Sequence, residues 1–201
     1  MARRYRDIKE IRTSFLLEFP RLPFDTVRIK SPWDDDYQCI AWTEGYTDRR
    51  SWPANGYAWP EGLPLADPAE AATVHHFLPR FSLLGYQPCG LDDSFELGYQ
   101  KVAIYANDQG VTHMARQHIL GIGWLSKPGK MEDVLHRKLA DLEGDTSVVA
   151  FEYGKVVLIM KRSWWSALTK LCILRCMWHA FIFWLYRLDK DWEMVREDQP
   201  K

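Results

Sequence analysis

The chain has 201 residues, a length that suits one domain and is short for two domains of ordinary size. Apolar residues make up 47% of the chain, which is enough to build a core. The formal net charge of −1 excludes a basic field that would attract nucleic acid. We therefore expect one globular domain that does not bind nucleic acid.

The cysteines and the first residues of the chain indicate a reducing compartment. The short apolar run at residues 15–17 is flanked by acidic residues and does not match a secretory signal peptide. We therefore expect a cytoplasmic protein with free thiols. Cys172 and Cys176 could share a helical face, but they lack the second ligand pair that a structural zinc site needs. We expect neither a metal nor a cofactor.

The first part of the chain predicts helices separated by loops. Residues 1–30 predict a short helix and then an extended segment, because two prolines break the helical pattern. The acidic turn at residues 34–36 precedes small and apolar residues that predict a buried helix beginning near Cys39. A further helix is predicted over 68–84, with Asp67 as its cap.

Aromatic residues are unusually frequent, at 14% of the chain with ten tryptophans, and many lie in a loop at residues 45–68. Large aromatic side chains bury enough area to hold such a loop against a core. A surface on which sugars stack is the functional alternative.

The hydrophobic period changes in the second half of the chain. Alternating patterns predict three strands and a closing hairpin at residues 101–106, 111–118, 124–127, 148–151 and 155–160. Residues 131–142 predict a helix between them. Because helices come first and an antiparallel sheet follows, the pattern indicates an α+β domain whose N-terminal helices pack on the sheet.

Residues 163–201 predict an apolar helix appended to a domain of residues 1–162. Only Arg175 and His179 interrupt its central apolar run, which is short for a membrane span and contains a charge. Tryptophans beside Lys and Arg suit contact with a membrane surface through residues 164–188. Burial in the fold or contact in a homo-oligomer is the alternative.

Cys39 and His113 are the first candidates for a chemical pair. A helix N-terminus would favour the thiolate of Cys39, and a strand would hold His113 rigidly as a general base. A third polar group should orient the imidazole. Asp133 is the first candidate for this role, followed by Ser126 and Gln117.

Other polar groups could assist this pair. The side-chain amide of Gln38, or backbone N–H groups near Cys39, could form an oxyanion site. Arg116 and Lys127 could bind a substrate carboxylate or simply cover the edge of the sheet. The alternative for the pair itself is a buried helix cysteine and a strand histidine bonded to a backbone carbonyl.

Several short motifs follow one another in a specific order: Tyr-Gln-Cys-Ile-Ala-Trp at 37–42, Lys-Val-Ala-Ile-Tyr-Ala at 101–106, Thr-His-Met-Ala-Arg-Gln at 112–117, Trp-Leu-Ser-Lys at 124–127 and Asp-Val-Leu-His at 133–136. In this order they resemble an uncharacterised family of bacterial proteins, over residues 30–162. A cysteine at a helix start, followed by a strand His-x-x-Arg-Gln, is more distantly similar to papain-like hydrolases, including cell-wall amidases. This similarity implies a papain-like α+β fold, with Cys39 as nucleophile and His113 as base.

Three functions follow as expectations. The first is a cysteine-dependent hydrolase of amide or peptide bonds that uses Cys39, His113 and Asp133. The second is a non-catalytic interaction module, for example part of a bacterial or phage conflict and defence system. The third is a membrane-associated protein that uses its C-terminal helix.

Overall fold

The computed structural model describes residues 5–144 and 153–164, and the chain through Ser163 forms one compact unit. The helices are α1 (Ile8–Glu18), α2 (Cys39–Glu44) and α3 (Val74–Leu83), with short 3-10 helices at Phe24–Thr26 and Leu139–Leu142. The strands are β1 (Arg28–Ile29), β2 (Gln87–Pro88), β3 (Tyr99–Asn107), β4 (Gly110–Gln117), β5 (Trp124–Ser126), β6 (Val134–His136) and β7 (Lys155–Ser163).

The strands form one antiparallel sheet in the order β1-β6-β5-β4-β3-β7-β2. The long strands β3, β4 and β7 lie at its centre, and β3 pairs with both of the others. The structure thereby confirms a mixed helix and sheet domain with a large antiparallel sheet and few helices among the described residues.

The two faces of the sheet carry separate cores. On one face, Phe15 of α1 packs with Ala103, Tyr105 and Ala115. On the other face, Ile40 of α2 and the phenylalanines of α3 pack with the even-numbered core residues of β3, β4 and β7, which are Val102, Ile104, Met114 and Met160. Successive side chains of a strand point to opposite faces, so β3 and β4 serve both cores at once.

Local sequence explains the helix ends. The side chain of Asp7 accepts hydrogen bonds from the first-turn amides of α1. Helix α2 ends at Gly45, whose φ of 100° lies in the left-handed region that glycine adopts without strain. Thr73 caps α3 together with His76, and both members of this capping box are formed.

Two predicted elements are wrong in position or type. Residues 131–142 do not form one helix, because Val134–His136 is a strand that pairs with β5 and β1, and only Leu139–Leu142 forms a short 3-10 helix. The helix predicted over 68–84 begins at Val74 and is capped by Thr73 instead of Asp67. Asp67 accepts a hydrogen bond from the amide of Ala69 and so stabilises a turn before the helix.

The aromatic loop at residues 45–68 is held against the core, as its composition predicts. The rings of Trp52 and Trp59 meet Phe77 of α3 edge-on, at centroid distances of 5.3 and 5.7 Å. These two tryptophans therefore pack against the core.

The strand predicted over 148–151 and the appended helix of residues 163–201 lie outside the described residues, apart from Ser163 and Trp164. In the described part of the chain, no helix has the length and apolar character that crossing a membrane requires.

Candidate functional site

Cys39 lies at the start of a helix, as the sequence predicts. It is the first residue of α2, and its side chain is only 7% exposed. Burial raises the pKa of the thiol to about 11, while the backbone amides of Met114, Ile40 and Cys39 itself, together with the charge of Lys127, lower it. Burial is the stronger effect, so the thiol is protonated at neutral pH.

His113 is fully buried on β4. Its ring stacks on Tyr153, with centroids 4.1 Å apart and planes 6° from parallel, and it meets Tyr105 at 5.5 Å. Neither ring nitrogen has a hydrogen-bond partner among the described residues. Burial, and then the neighbouring His136, lower the pKa of His113 well below its usual value, so the imidazole is neutral at physiological pH.

Cys39 and His113 pack in different side-chain clusters, although the sulfur of Cys39 accepts from the backbone amide of Met114, the residue after His113 on β4. Cys39 belongs to the core on the α2 and α3 face. The ring of His113 contacts Tyr105 and Tyr153, which pack in the core on the α1 face. Met114, the next residue of β4, sends its side chain to the Cys39 face. Because successive side chains of a strand alternate, those of His113 and Met114 point to opposite faces of β4. No hydrogen bond joins the thiol of Cys39 to the imidazole of His113.

Asp133 is engaged elsewhere. The hydroxyl of Tyr37 donates to both of its carboxylate oxygens, at 3.1 and 3.0 Å, and Lys127 Nζ lies 4.0 Å from one of them. Burial, and then the charge of Asp133, raise the pKa of Tyr37, so the phenol remains a donor. Because His113 has no hydrogen-bond partner in the described chain, Asp133 does not orient its ring.

Lys127 joins the loops around α2 in a buried polar cluster. Its fully buried ammonium donates to the carbonyl oxygens of Asp34 and Met131 and lies 4.6 Å from the ring of Tyr37. Burial lowers the pKa of Lys127, and the carboxylate of Asp133 opposes this shift. The side chain of Lys127 therefore lies inside the fold, where it binds backbone carbonyl oxygens.

The remaining sequence candidates make structural contacts. Gln38 precedes α2, and its side-chain oxygen accepts the amide of Ser51 at 2.8 Å. The side-chain amide of Gln117 donates to the carbonyl of Asp93 at 2.9 Å. The guanidinium of Arg116 lies over the ring of Trp42 at 4.5 Å. These contacts fix loops and a helix against the sheet.

Ser126 binds a histidine that the sequence did not propose for the site. His136 Nδ1 donates to the carbonyl of Lys138 at 2.8 Å, so its Nε2 accepts from the hydroxyl of Ser126 at 2.9 Å. Burial lowers the pKa of His136 to about 4, and the neutral ring suits both bonds. The spacing of the two residues on paired strands could have revealed this contact, but only once β6 was recognised as a strand.

Tyr153 is the second residue that sequence reasoning missed. Its half-buried ring covers His113, and its hydroxyl, bonded by the amide of Gly129, is the buried end of the side chain. Burial, and then the charge of Cys39, raise the pKa of this phenol well above its usual value, which brings Tyr153 into the electrostatic neighbourhood of the thiol. No residue of the quoted motifs signals this position.

The described residues contain no cluster of three or more His, Cys, Asp or Glu side chains that could hold a metal ion. Two surface cavities, of about 600 and 440 Å³, lie beside the turn between β3 and β4. The described residues that line them do not include Cys39, His113 or Asp133.

Comparison with known proteins gives one result. No curated protein and no solved structure matches the chain. A family model described as a domain of unknown function, DUF7689, matches residues 28–161, which include the whole of the polar cluster around Cys39. The chain therefore belongs to the DUF7689 family of domains of unknown function.

Proposed function

We propose that the described domain is a non-catalytic interaction module. The observation that carries the proposal is the state of His113, which is neutral, buried and without a hydrogen-bond partner among the described residues. A cysteine nucleophile needs a base within hydrogen-bond reach, or a lowered pKa, and Cys39 has neither in this conformation. On this proposal Cys39 and the cluster of Tyr37, Lys127 and Asp133 hold the loops that a partner would contact.

Alkylation of the full chain by iodoacetamide at pH 7 tests the proposal. Mass spectrometry of peptides would give separate rates for Cys39 and for the half-buried Cys89. We expect Cys39 to react more slowly than Cys89, because its thiol is both protonated and enclosed. Labelling in urea is the control, since unfolding should make the two rates similar. Faster reaction at Cys39 in the folded chain would contradict a non-catalytic role.

A cysteine-dependent hydrolase of amide or peptide bonds is the second candidate. Amides at the start of α2 and the amide of Met114 are directed at the sulfur of Cys39, an arrangement that would favour a thiolate once the site opened. The papain-like resemblance implies a helix that begins at a cysteine and a strand that carries a histidine, and both elements are present.

The chemistry of this candidate requires the site to rearrange. Tyr153 would leave the face of His113, and the imidazole would take the proton of the Cys39 thiol. The sulfur would attack the substrate carbonyl carbon, the C–N bond would break, and the imidazolium would protonate the leaving amine. Water would then hydrolyse the thioester, which releases the acid and restores the thiol. Asp133 would orient His113, and Gln38 or the amides beside Cys39 would hold the oxyanion.

The variant His113→Asn separates the two candidates. If the domain is a hydrolase, the variant should slow alkylation of Cys39 at pH 7 at least about tenfold, because the base that activates the thiol is lost. If the domain is a non-catalytic interaction module, the variant should leave the rate of Cys39 alkylation unchanged. Circular dichroism of the variant checks that the fold is retained, and alkylation of Cys89 in the same sample is the internal reference.

A further inference from the structure

Six large apolar side chains are exposed on two loops at one end of the sheet. Between 43% and 79% of the surface of each residue is accessible to solvent. We name this surface the apolar loop patch; its residues are Leu91, Phe95, Leu97, Ile119, Leu120 and Ile122. The first three lie on the loop between β2 and β3, and the others on the loop between β4 and β5. Neighbouring exposed side chains of this size mark an interaction surface more often than scattered single ones.

The two loops are packed on each other. At Gly121 a Cβ atom would lie 2.4 Å from the ring of Phe95, so only glycine lets the loops approach this closely. The side chain of Gln117 also donates to the carbonyl of Asp93 across the same boundary. The apolar loop patch is thus one built surface shared by two segments distant in sequence.

The loop between β4 and β5 bonds its own backbone. The amide of His118 donates to the carbonyl of Gly123 at 2.9 Å, and the amide of Gly121 donates to the carbonyl of His118 at 2.8 Å. The amide of Leu120 donates to Nδ1 of the His118 ring at 3.1 Å. Backbone donors that are satisfied inside a loop lower the cost of moving that loop into an apolar medium.

Two of the three acidic residues between the apolar ones are paired, and the third is Asp93. Asp92 accepts from Lys101 at 2.8 Å, and Glu96 accepts from Lys161 at 2.7 Å. These ion pairs neutralise two of the charges beside the patch. An apolar surface on which most charges are paired would not be repelled by a neutral lipid surface.

We propose that the apolar loop patch inserts into the interfacial zone of a lipid membrane. Protein interfaces are enriched in Tyr, Trp, Met and Arg, whereas five of the six patch residues are Leu or Ile on protruding loops. That composition and shape suit a soft lipid surface better than a second protein. The patch is independent of the chemistry of Cys39, so alkylation of Cys39 and membrane binding give separate answers.

Flotation of the full chain with phosphatidylcholine vesicles tests this inference. The variant Leu120→Ser with Ile122→Ser removes two exposed patch residues, and Leu17→Ser on α1 is the matched control, because Leu17 is 71% exposed and Leu120 67%. We expect the double variant to lower the partition coefficient at least about tenfold, since two apolar side chains lose their burial in lipid. Leu17→Ser should leave the partition coefficient unchanged.

Three results would overturn the inference. The first is that the wild-type chain does not float with the vesicles, and the second is that the double variant floats as well as Leu17→Ser. The third is that light scattering shows a dimer that the double variant abolishes while vesicle binding stays equal in all three proteins, which would assign the patch to a second copy of the chain. Thermal unfolding of each variant confirms that it is folded.

Discussion

Two buried histidines of this domain differ in their hydrogen bonds. His136 has a partner at each ring nitrogen, Lys138 on one side and Ser126 on the other. His113 has none among the described residues and is held by stacking on Tyr153. A buried polar group without a partner costs free energy, whereas a bonded one contributes a modest net stabilisation. The two residues therefore form a matched pair for measurement.

Replacing each histidine by leucine should have different consequences for stability. His136→Leu leaves the hydroxyl of Ser126 and the carbonyl of Lys138 unpaired, and we expect it to lower the free energy of unfolding by about 1–3 kcal/mol. His113→Leu removes two unsatisfied nitrogens, so its effect should stay within about 1 kcal/mol of the wild type despite the lost stacking. Urea denaturation measures both. An equal loss in the two variants would mean that His113 makes a polar contact essential to the fold.

The same histidines predict how stability depends on pH. The folded-state pKa of His136, about 4, lies below the value of about 6.5 in an unfolded chain, and the pKa of His113 is lowered too. Between these values the unfolded chain binds protons that the folded chain does not, so stability falls as pH falls from 6.5 towards 4. Each buried histidine should contribute about 1.4 kcal/mol per pH unit within this window.

Urea denaturation at pH 7.5, 6 and 5 measures this dependence. His136→Leu should remove one of the two contributions and make the slope shallower. If the double variant, with both histidines replaced, kept the wild-type slope, another group would be responsible for the pH dependence.

At the scale of elements, one ion pair joins α2 to α3. The guanidinium of Arg80 donates to both carboxylate oxygens of Glu44, at 2.6 and 2.9 Å. The side chain of Glu44 is fully buried and that of Arg80 is 17% exposed. This pair fixes the end of the helix that begins at Cys39, and a buried pair loses more when one partner is removed than it gains when both are present.

Glu44→Ala should therefore lower the free energy of unfolding by about 3 kcal/mol, because it leaves the Arg80 charge without its partner. Replacing both residues by apolar ones, Glu44→Leu with Arg80→Met, should recover much of this loss. Asp48→Ala, which breaks the exposed pair of Asp48 with Arg49, is the control and should have little effect. The opposite order of Glu44→Ala and Asp48→Ala in urea denaturation would contradict the structure.

Some helices and strands could be placed from the sequence pattern alone, and others could not. Alternation in residues 101–106 and 111–118 placed β3 and β4 almost at their observed ends, since both long strands present apolar residues to two cores. Small and apolar residues after an acidic turn placed the start of α2 at Cys39. Strand β6 has only three residues, all buried, so its apolar pattern is compatible with a helix, and long-range pairing with β5 and β1 decides its type.

At the scale of the whole molecule, the seven strands and both cores of the described chain lie within residues 1–163. A chain that ends at Ser163 should therefore fold and show a single cooperative unfolding transition by circular dichroism. The full-length chain is the reference. A truncated chain with native-like secondary structure but no cooperative transition would mean that the sheet depends on residues after Ser163.

The sequence by itself determined a large antiparallel sheet with few helices, the cysteine at the start of α2, and membership of an uncharacterised family. These follow from local periodicity, which acts over a few residues. Only the tertiary structure decided that His113 stacks on Tyr153 without a hydrogen bond to Cys39, and that Asp133 binds Tyr37. The period of two fixes which strand residues share a face, but the face that a distant helix covers depends on packing of the whole chain.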